Sequence, residues 1–161
     1  MTIYVEYIFM DRLDREILNL LQQDASLTVK QVAARIHLSA TPCWKRIQKL
    51  EMQGYIRARV ALLDPRLIDA DVTVFVAIKA AQHTTEWIEH FSRKVSDMPE
   101  VMEIYRMSGE VDYLLRVAVG SIAAYDAFYK RLVDSIKLSD VTSSFAMEQI
   151  KYTTALPINA E

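Results

Sequence analysis

The 161-residue chain contains only three glycines, four prolines and one cysteine. So few glycines leave no room for a loop that cradles phosphates, and no P-loop, dinucleotide fingerprint or Gly-x-Ser-x-Gly turn occurs. A single cysteine excludes a disulfide framework. No apolar run is long enough to cross a bilayer, and no basic stretch followed by a cleavable apolar core opens the chain. A cytoplasmic protein without membrane association is therefore expected. His37, His83 and His90 stand at no metal-ligand spacing with one another or with Cys43, so no metal or other cofactor is expected. Cys43 has no base beside it and reads as a small buried hydrophobe. With no catalytic constellation in view, the chain is not expected to be an enzyme.

Hydrophobic residues make up 52% and charged residues 25% of the sequence, the balance of a soluble globular protein. The length suits one ordinary domain or two small ones. The formal charge of −2 conceals an asymmetry. Residues 11–66 carry ten Lys/Arg against six Asp/Glu, whereas residues 67–161 carry nine against fourteen. A basic N-terminal part joined to an acidic C-terminal part suits a nucleic-acid module attached to a domain that does not bind nucleic acid.

The most informative stretch is 28–54, TVKQVAARIHLSATPCWKRIQKLEMQG. It reads as two short helices and a tight turn. Thr28 caps the first helix, which ends near His37, and Leu38 drops between the two. Ser39 or Thr41 caps the second, with Pro42 in its first turn and Gly54 just past its end. Cys43, Ile47 and Leu50 follow i, i+4, i+7 and face inward. At 100° per residue the opposite face carries Thr41, Lys45, Gln48 and Met52, flanked by Trp44 and Lys49. Such a face can read base edges and grip phosphates, although a solvated helix would show a similar pattern. Residues 13–23 add a supporting amphipathic helix through Leu13, Ile17, Leu20 and Leu21. The first ten residues, MTIYVEYIFM, fit either an extra strand or an extension upstream of a start at Met10.

After Gly54 the hydrophobic period changes from 3.6 to 2, and residues 56–63 read as a linking strand closed by Asp64-Pro65. The boundary falls near residue 66, giving domains 11–66 and 67–157. The second domain alternates strands and helices. Residues 72–81 form a strand, and 84–97 a helix with Trp87, Ile88, Phe91 and Val95 on one face. Strands 101–108 and 112–119 follow, joined across Gly109. Ser121 caps a helix whose inner face is Ile122, Tyr125, Phe128 or Tyr129, Leu132 and Ile136, and a last strand spans 141–151. The order βαββαβ is a ferredoxin-like arrangement with both helices on one face of an antiparallel sheet. A second copy is the simplest cover for the other face.

Within Ser108-Gly109-Glu110-Val111-Asp112-Tyr113 the turn brings a carboxylate and backbone N–H groups together at the sheet edge. Those groups can clamp an ammonium and a carboxylate, and Ser143 and Ser144 can add hydroxyls. A bare glycine turn, however, needs no ligand.

The segments LSATPCWKRIQKLEMQGYIRARVALLDP, MSGEVDYLLRV and SSFAMEQIK resemble the Lrp/AsnC (feast/famine) family of transcription regulators, from about Leu13 to Pro157. TPCWKR and DVTSSFAMEQIKYTT are most similar to its cysteine-responsive branch. The resemblance implies an α+β architecture: a helix-turn-helix, winged-helix-like DNA-binding domain and a ferredoxin-like effector domain. It also implies homodimers assembling into tetramers or octamers, with an amino acid bound at dimer–dimer contacts. It carries Gly109 and Asp112 over as effector contacts, with Met107, Ser108, Ser143, Ser144 and Phe145 beside them. On this reading Ser39, Thr41, Trp44, Lys45, Gln48 and Lys49 meet DNA. One departure is Ser135-Ile136-Lys137-Leu138, where the family's Pro-Gly before the last strand is missing. Two functions stay open: a DNA-binding regulator of amino-acid metabolism modulated by an amino acid, with cysteine as the candidate, or an amino-acid-sensing subunit of a metabolic enzyme.

Overall fold

The computed structural model describes residues 10–158. The opening segment, apart from Met10, lies outside the described residues. Among these residues the chain forms two units, one of residues 10–61 with 151–158, the other Leu62–Ile150.

The helical unit begins with α1 (Arg12–Gln23), capped by Asp11, whose carboxylate accepts the Asp14 N–H while that of Asp14 accepts the Asp11 N–H. This reciprocal arrangement satisfies two N–H groups that a helix start otherwise leaves open. Helix α2 (Val29–Arg35) uses the same device through Thr28 and Gln31. His37 turns the chain at φ +55°, and α3 (Ala40–Met52) starts from Ser39. Gly54 at φ +78° ends α3, as its place in the sequence required. Ile17, Val32, Cys43, Ile47 and Leu50 are buried at the centre, with Leu38 packed against them. Each aliphatic side chain among them contributes roughly 1.5–3 kcal/mol on burial, so Ile17→Ala would cost about 2–5 kcal/mol with its cavity.

Residues 151–158 return to α1. The Gln22 side chain donates to the Leu156 carbonyl at 2.9 Å and accepts the Leu156 N–H at 2.8 Å, and Ile158 packs on the helical core. Between this tail and residues 55–60 runs an apolar groove of about 660 Å³, floored by Leu18 and Leu21.

The linking strand expected over 56–63 does not form: among the described residues this segment joins no sheet, and Val60, Leu62 and Leu63 are exposed. Alternation supplies the side-chain pattern of a strand, but here no neighbouring strand supplies the hydrogen bonds.

The second unit carries β1 (Val72–Ala80), α4 (Thr85–Ser96), β2 (Val101–Arg106), β3 (Tyr113–Val119), α5 (Ile122–Ser135) and β4 (Leu138–Phe145). The sheet order is β2-β3-β1-β4 with every pair antiparallel, the expected ferredoxin-like βαββαβ topology. Val74, Val76 and Ile78 of β1 and Tyr113, Leu115 and Val117 of β3 face Phe91, Val95, Phe128 and Leu132 of the helices. The last strand lies earlier than 141–151, because α5 passes into β4 through Ile136 and Lys137 alone. This joint has no glycine; Ile136 is buried, and the Lys137 carbonyl accepts the Trp87 indole N–H at 3.1 Å. Ile122, expected inside, is 72% exposed: it opens the first turn of α5, and the buried stripe begins with Tyr125.

The face opposite the helices carries Phe75 and Ala77 of β1, Leu114 and Arg116 of β3, and Tyr105 of β2. Phase is what puts them there: side chains alternate along each strand, and their neighbours fill the core.

Candidate nucleic-acid interface and effector site

Helix α3 is set by its buried stripe, Cys43, Ile47 and Leu50, at successive turns. Burial pushes the Cys43 thiol up, so it stays protonated and behaves as core. On the other side Thr41, Lys45 and Met52 are exposed, and Trp44 keeps 51% of its surface in solvent. Gln48 and Lys49 are half-buried, and the Gln48 amide donates to Glu51 Oε2 at 3.0 Å. Ser39 is the N-cap residue, yet its hydroxyl makes no capping bond and is free for other partners. Thr41 lies inside the first turn. The six side chains named from the sequence thus lie on the start and outer side of one helix, with Gln48 the member already engaged.

Arg46 escaped the sequence reading. Its Nη1 lies 2.7 Å from both Asp11 Oδ2 and Asp14 Oδ1. These two acids, Asp14 first, raise its pKa further. The Asp11-x-x-Asp14 spacing before an apolar run marks a capped helix start, but it does not announce a contact with Arg46, 32 residues on from Asp14.

In the second unit, Gly109 lies at φ +116° in an exposed turn flanked by Met107 and Ser108. The turn is closed by Met107 N–H to the Asp112 carbonyl at 2.8 Å and anchored by Asp112 N–H to the Ile78 carbonyl at 3.0 Å. Asp112 Oδ2 accepts the Ala80 N–H at 2.8 Å, beside the register shift between Lys79 and Ala80. The carboxylate is therefore part of the architecture, with its second oxygen facing no protein donor among those described. The backbone N–H groups of Ser108, Gly109, Glu110 and Val111 enter none of the turn's backbone bonds.

Ser143, Ser144 and Phe145 stand elsewhere. They pair with Val76, Phe75 and Val74, four to six residues along β1 from Ala80. At about 3.3 Å per residue that is roughly 13–20 Å. Ser143 points to the helices, where its hydroxyl is hydrogen-bonded to that of Tyr125, and the Phe145 ring meets Tyr125 edge-on at 5.1 Å. Ser144 lies on the opposite, open face. One chain does not bring the Gly109 turn and this trio together.

The family model for the Lrp/AsnC ligand binding domain matches residues 73–156, and one for winged helix-turn-helix DNA-binding matches residues 10–57. The chain belongs to the Lrp/AsnC family. This Lrp/AsnC protein is 54% identical over 150 residues to the DNA-binding transcriptional activator DecR of Escherichia coli, covering 92% of this chain and 99% of that one. An AsnC family transcriptional regulator from Agrobacterium tumefaciens superposes with a TM-score of 0.90 at 62% identity, covering 92% and 97%. A regulator from Neisseria meningitidis, solved as its L-methionine complex, gives 0.89 at 32% identity over 94% and 98%. The Lrp/AsnC chain described here is accordingly a DNA-binding transcriptional regulator with a ligand domain suited to an amino-acid effector. Its relatives are regulators rather than enzymes, and the alternative of an enzyme subunit finds no support among them. No helix of the described residues is long and apolar enough to cross a membrane.

Proposed function

We propose that this regulator binds a free amino acid at the Gly109 turn and adjusts its operator binding in response. The observation that carries the reading is the composition of that turn. Unengaged backbone N–H groups around a left-handed glycine suit a carboxylate, and the outward oxygen of Asp112 suits an ammonium. Met107 and Ser108 border the same turn and would meet the variable side chain. The β4 segment Ser143–Phe145 would reach the pocket from another protomer, with Ser144 on the open face and Ser143 and Phe145 behind it against Tyr125, since their distance along β1 separates them from the turn within one chain. This favours a site at a dimer–dimer contact.

The pairing of copies rests on the open sheet face. Phe75 and Tyr105, with the half-buried Leu114, present apolar surface around the Arg116–Glu103 ion pair of 2.7 Å. A second copy covers that face, and dimers assemble further to tetramers or octamers. Ser39, Thr41, Trp44, Lys45, Gln48 and Lys49 meet double-stranded DNA, which places the protein in the cytoplasm. The residues to about 66 serve DNA and those of the sheet domain serve effector and assembly. The likeness of TPCWKR and DVTSSFAMEQIKYTT to the cysteine-responsive branch favours cysteine as effector.

A thermal-shift screen of the twenty amino acids tests the reading, because a ligand that binds only the folded protein raises its Tm. Cysteine under reducing conditions should give the largest shift. No shift with any of the twenty would overturn the effector assignment.

A further inference from the structure

Of the three cations on α3, Lys45, Arg46 and Lys49, Arg46 alone forms an ion pair among the described residues. The network that holds it is closed. Asp11 gives one oxygen to the Asp14 N–H at 2.9 Å and the other to Arg46; Asp14 gives one oxygen to the Asp11 N–H at 3.4 Å and the other to Arg46. Asp14 is only 3% exposed. A guanidinium at a helix N-terminus meets the positive end of the helix dipole, so it is stable there only because both acids neutralise it. Conversely, it lets two carboxylates share one helix start.

We propose that Arg46 is a positioning residue for DNA recognition: it fixes the rotation of α3 against the capped start of α1 and does not itself touch a phosphate. The buried stripe of Cys43, Ile47 and Leu50 sets how closely α3 packs, but smooth apolar contacts allow a helix to roll. With side chains reaching about 5–6 Å from the axis, a roll of roughly 10° moves their tips by about 1 Å. That is enough to spoil a directional bond to a base edge and too little to remove a lysine from a phosphate. A polar bond from α3 to a fixed point on α1 opposes the roll. The pin therefore serves sequence choice rather than gross affinity.

The test uses the full chain on two probes, a duplex selected by the wild-type protein from a random-sequence pool and sonicated heterologous DNA. Arg46→Met should lower affinity for the selected duplex about ten-fold, on the scale of one lost base contact, and leave heterologous binding unchanged. Its plot of log affinity against log salt should keep the wild-type slope. Arg46→Lys, which retains charge and a donor, should restore part of the preference. A slope shallower by about 0.9, with the preference intact, would make Arg46 a phosphate ligand and overturn the proposal. Unchanged slope and unchanged preference would overturn it as well. If Arg46→Met fails to fold, Asp11→Asn decides, because the amide oxygen keeps the cap while one leg of the pin weakens. It should reduce the preference at constant slope; a steeper slope with tighter heterologous binding would show a released phosphate-seeking Arg46 and reject the pin.

Discussion

The Asp112 carboxylate accepts the backbone N–H of Ala80 at 2.8 Å, where the β1–β4 register slips between Lys79 and Ala80. One side chain thus connects the Gly109 turn to an irregularity in the central strand. It does so with one oxygen, which leaves the other for an incoming ammonium. Asparagine preserves the oxygen that Ala80 needs and removes the charge. Asp112→Asn should therefore fold and bind operator as the wild type does, while amino-acid affinity falls about ten-fold to a hundred-fold, the scale of one charge-assisted bond. Asp112→Ala should in addition lower stability by about 1–3 kcal/mol, because the Ala80 N–H loses its partner. Calorimetric titration and urea unfolding of both variants separate the two roles. Unchanged ligand affinity in the asparagine variant would return the turn to architecture.

Gly109 makes a different point. A Cβ built there would meet nothing within 4 Å, yet the backbone sits at φ +116°. The cost of Gly109→Ala is thus conformational rather than steric, on the order of 1–3 kcal/mol. Thermal unfolding should show a lower Tm together with weakened ligand binding. An unchanged Tm would mean that the turn relaxes freely.

Much of this was legible in the chain because periodicity follows from packing. Cys43, Ile47 and Leu50 had to face inward, and they do; the βαββαβ order followed from the alternation of periods. What escaped was contact between distant segments. Nothing local announces that Gln22 will hold Leu156 or that Asp14 will hold Arg46, since each is a meeting of polar groups across the fold. The segment 56–63 misled for a related reason: alternation describes side chains, whereas a strand also needs a partner's backbone. At the proposed effector site the turn was visible through Gly109, but the use of Asp112 by Ala80 depended on a register slip that no sequence pattern reveals.

The open sheet face yields a prediction about assembly. Phe75, 40% exposed and flanked in register by Arg116 and Ser144, stands near the centre of the proposed contact. Phe75→Glu places a charge where a second copy should bury an aromatic ring, so sedimentation at micromolar concentration should show dimers reduced to monomers. A wild-type monomer at that concentration would remove the basis for the contact.

Acid titration checks the carboxylates. Arg66 beside Asp64 holds its carboxyl at about 2. Burial alone would raise the Asp11 carboxyl, but the Asp14 N–H and the Arg46 guanidinium outweigh it and hold that group below its ordinary value. Both lie below the unfolded value of about 3.9, so their contribution is complete above that pH and is lost as pH falls through the folded values. Carboxyl-carbon resonances should show Asp64 titrating near 2 in the wild type and moving up toward about 3.9 in Arg66→Ala. No movement would mean that the ion pair does not hold the charge in solution.

The proposed DNA recognition stands on α3 entering DNA with Lys45 and Lys49 toward phosphates. Fluorescence anisotropy on the selected duplex, repeated across a salt series, measures that most directly. Removing two phosphate contacts reduces the slope of log affinity against log salt by about 1.8. The Lys45→Ala, Lys49→Ala double variant should show that shallower slope, with binding weakened on every sequence tried. A double variant whose salt series coincides with the wild type would contradict the docking face, and with it the assignment of α3 as the helix that meets DNA.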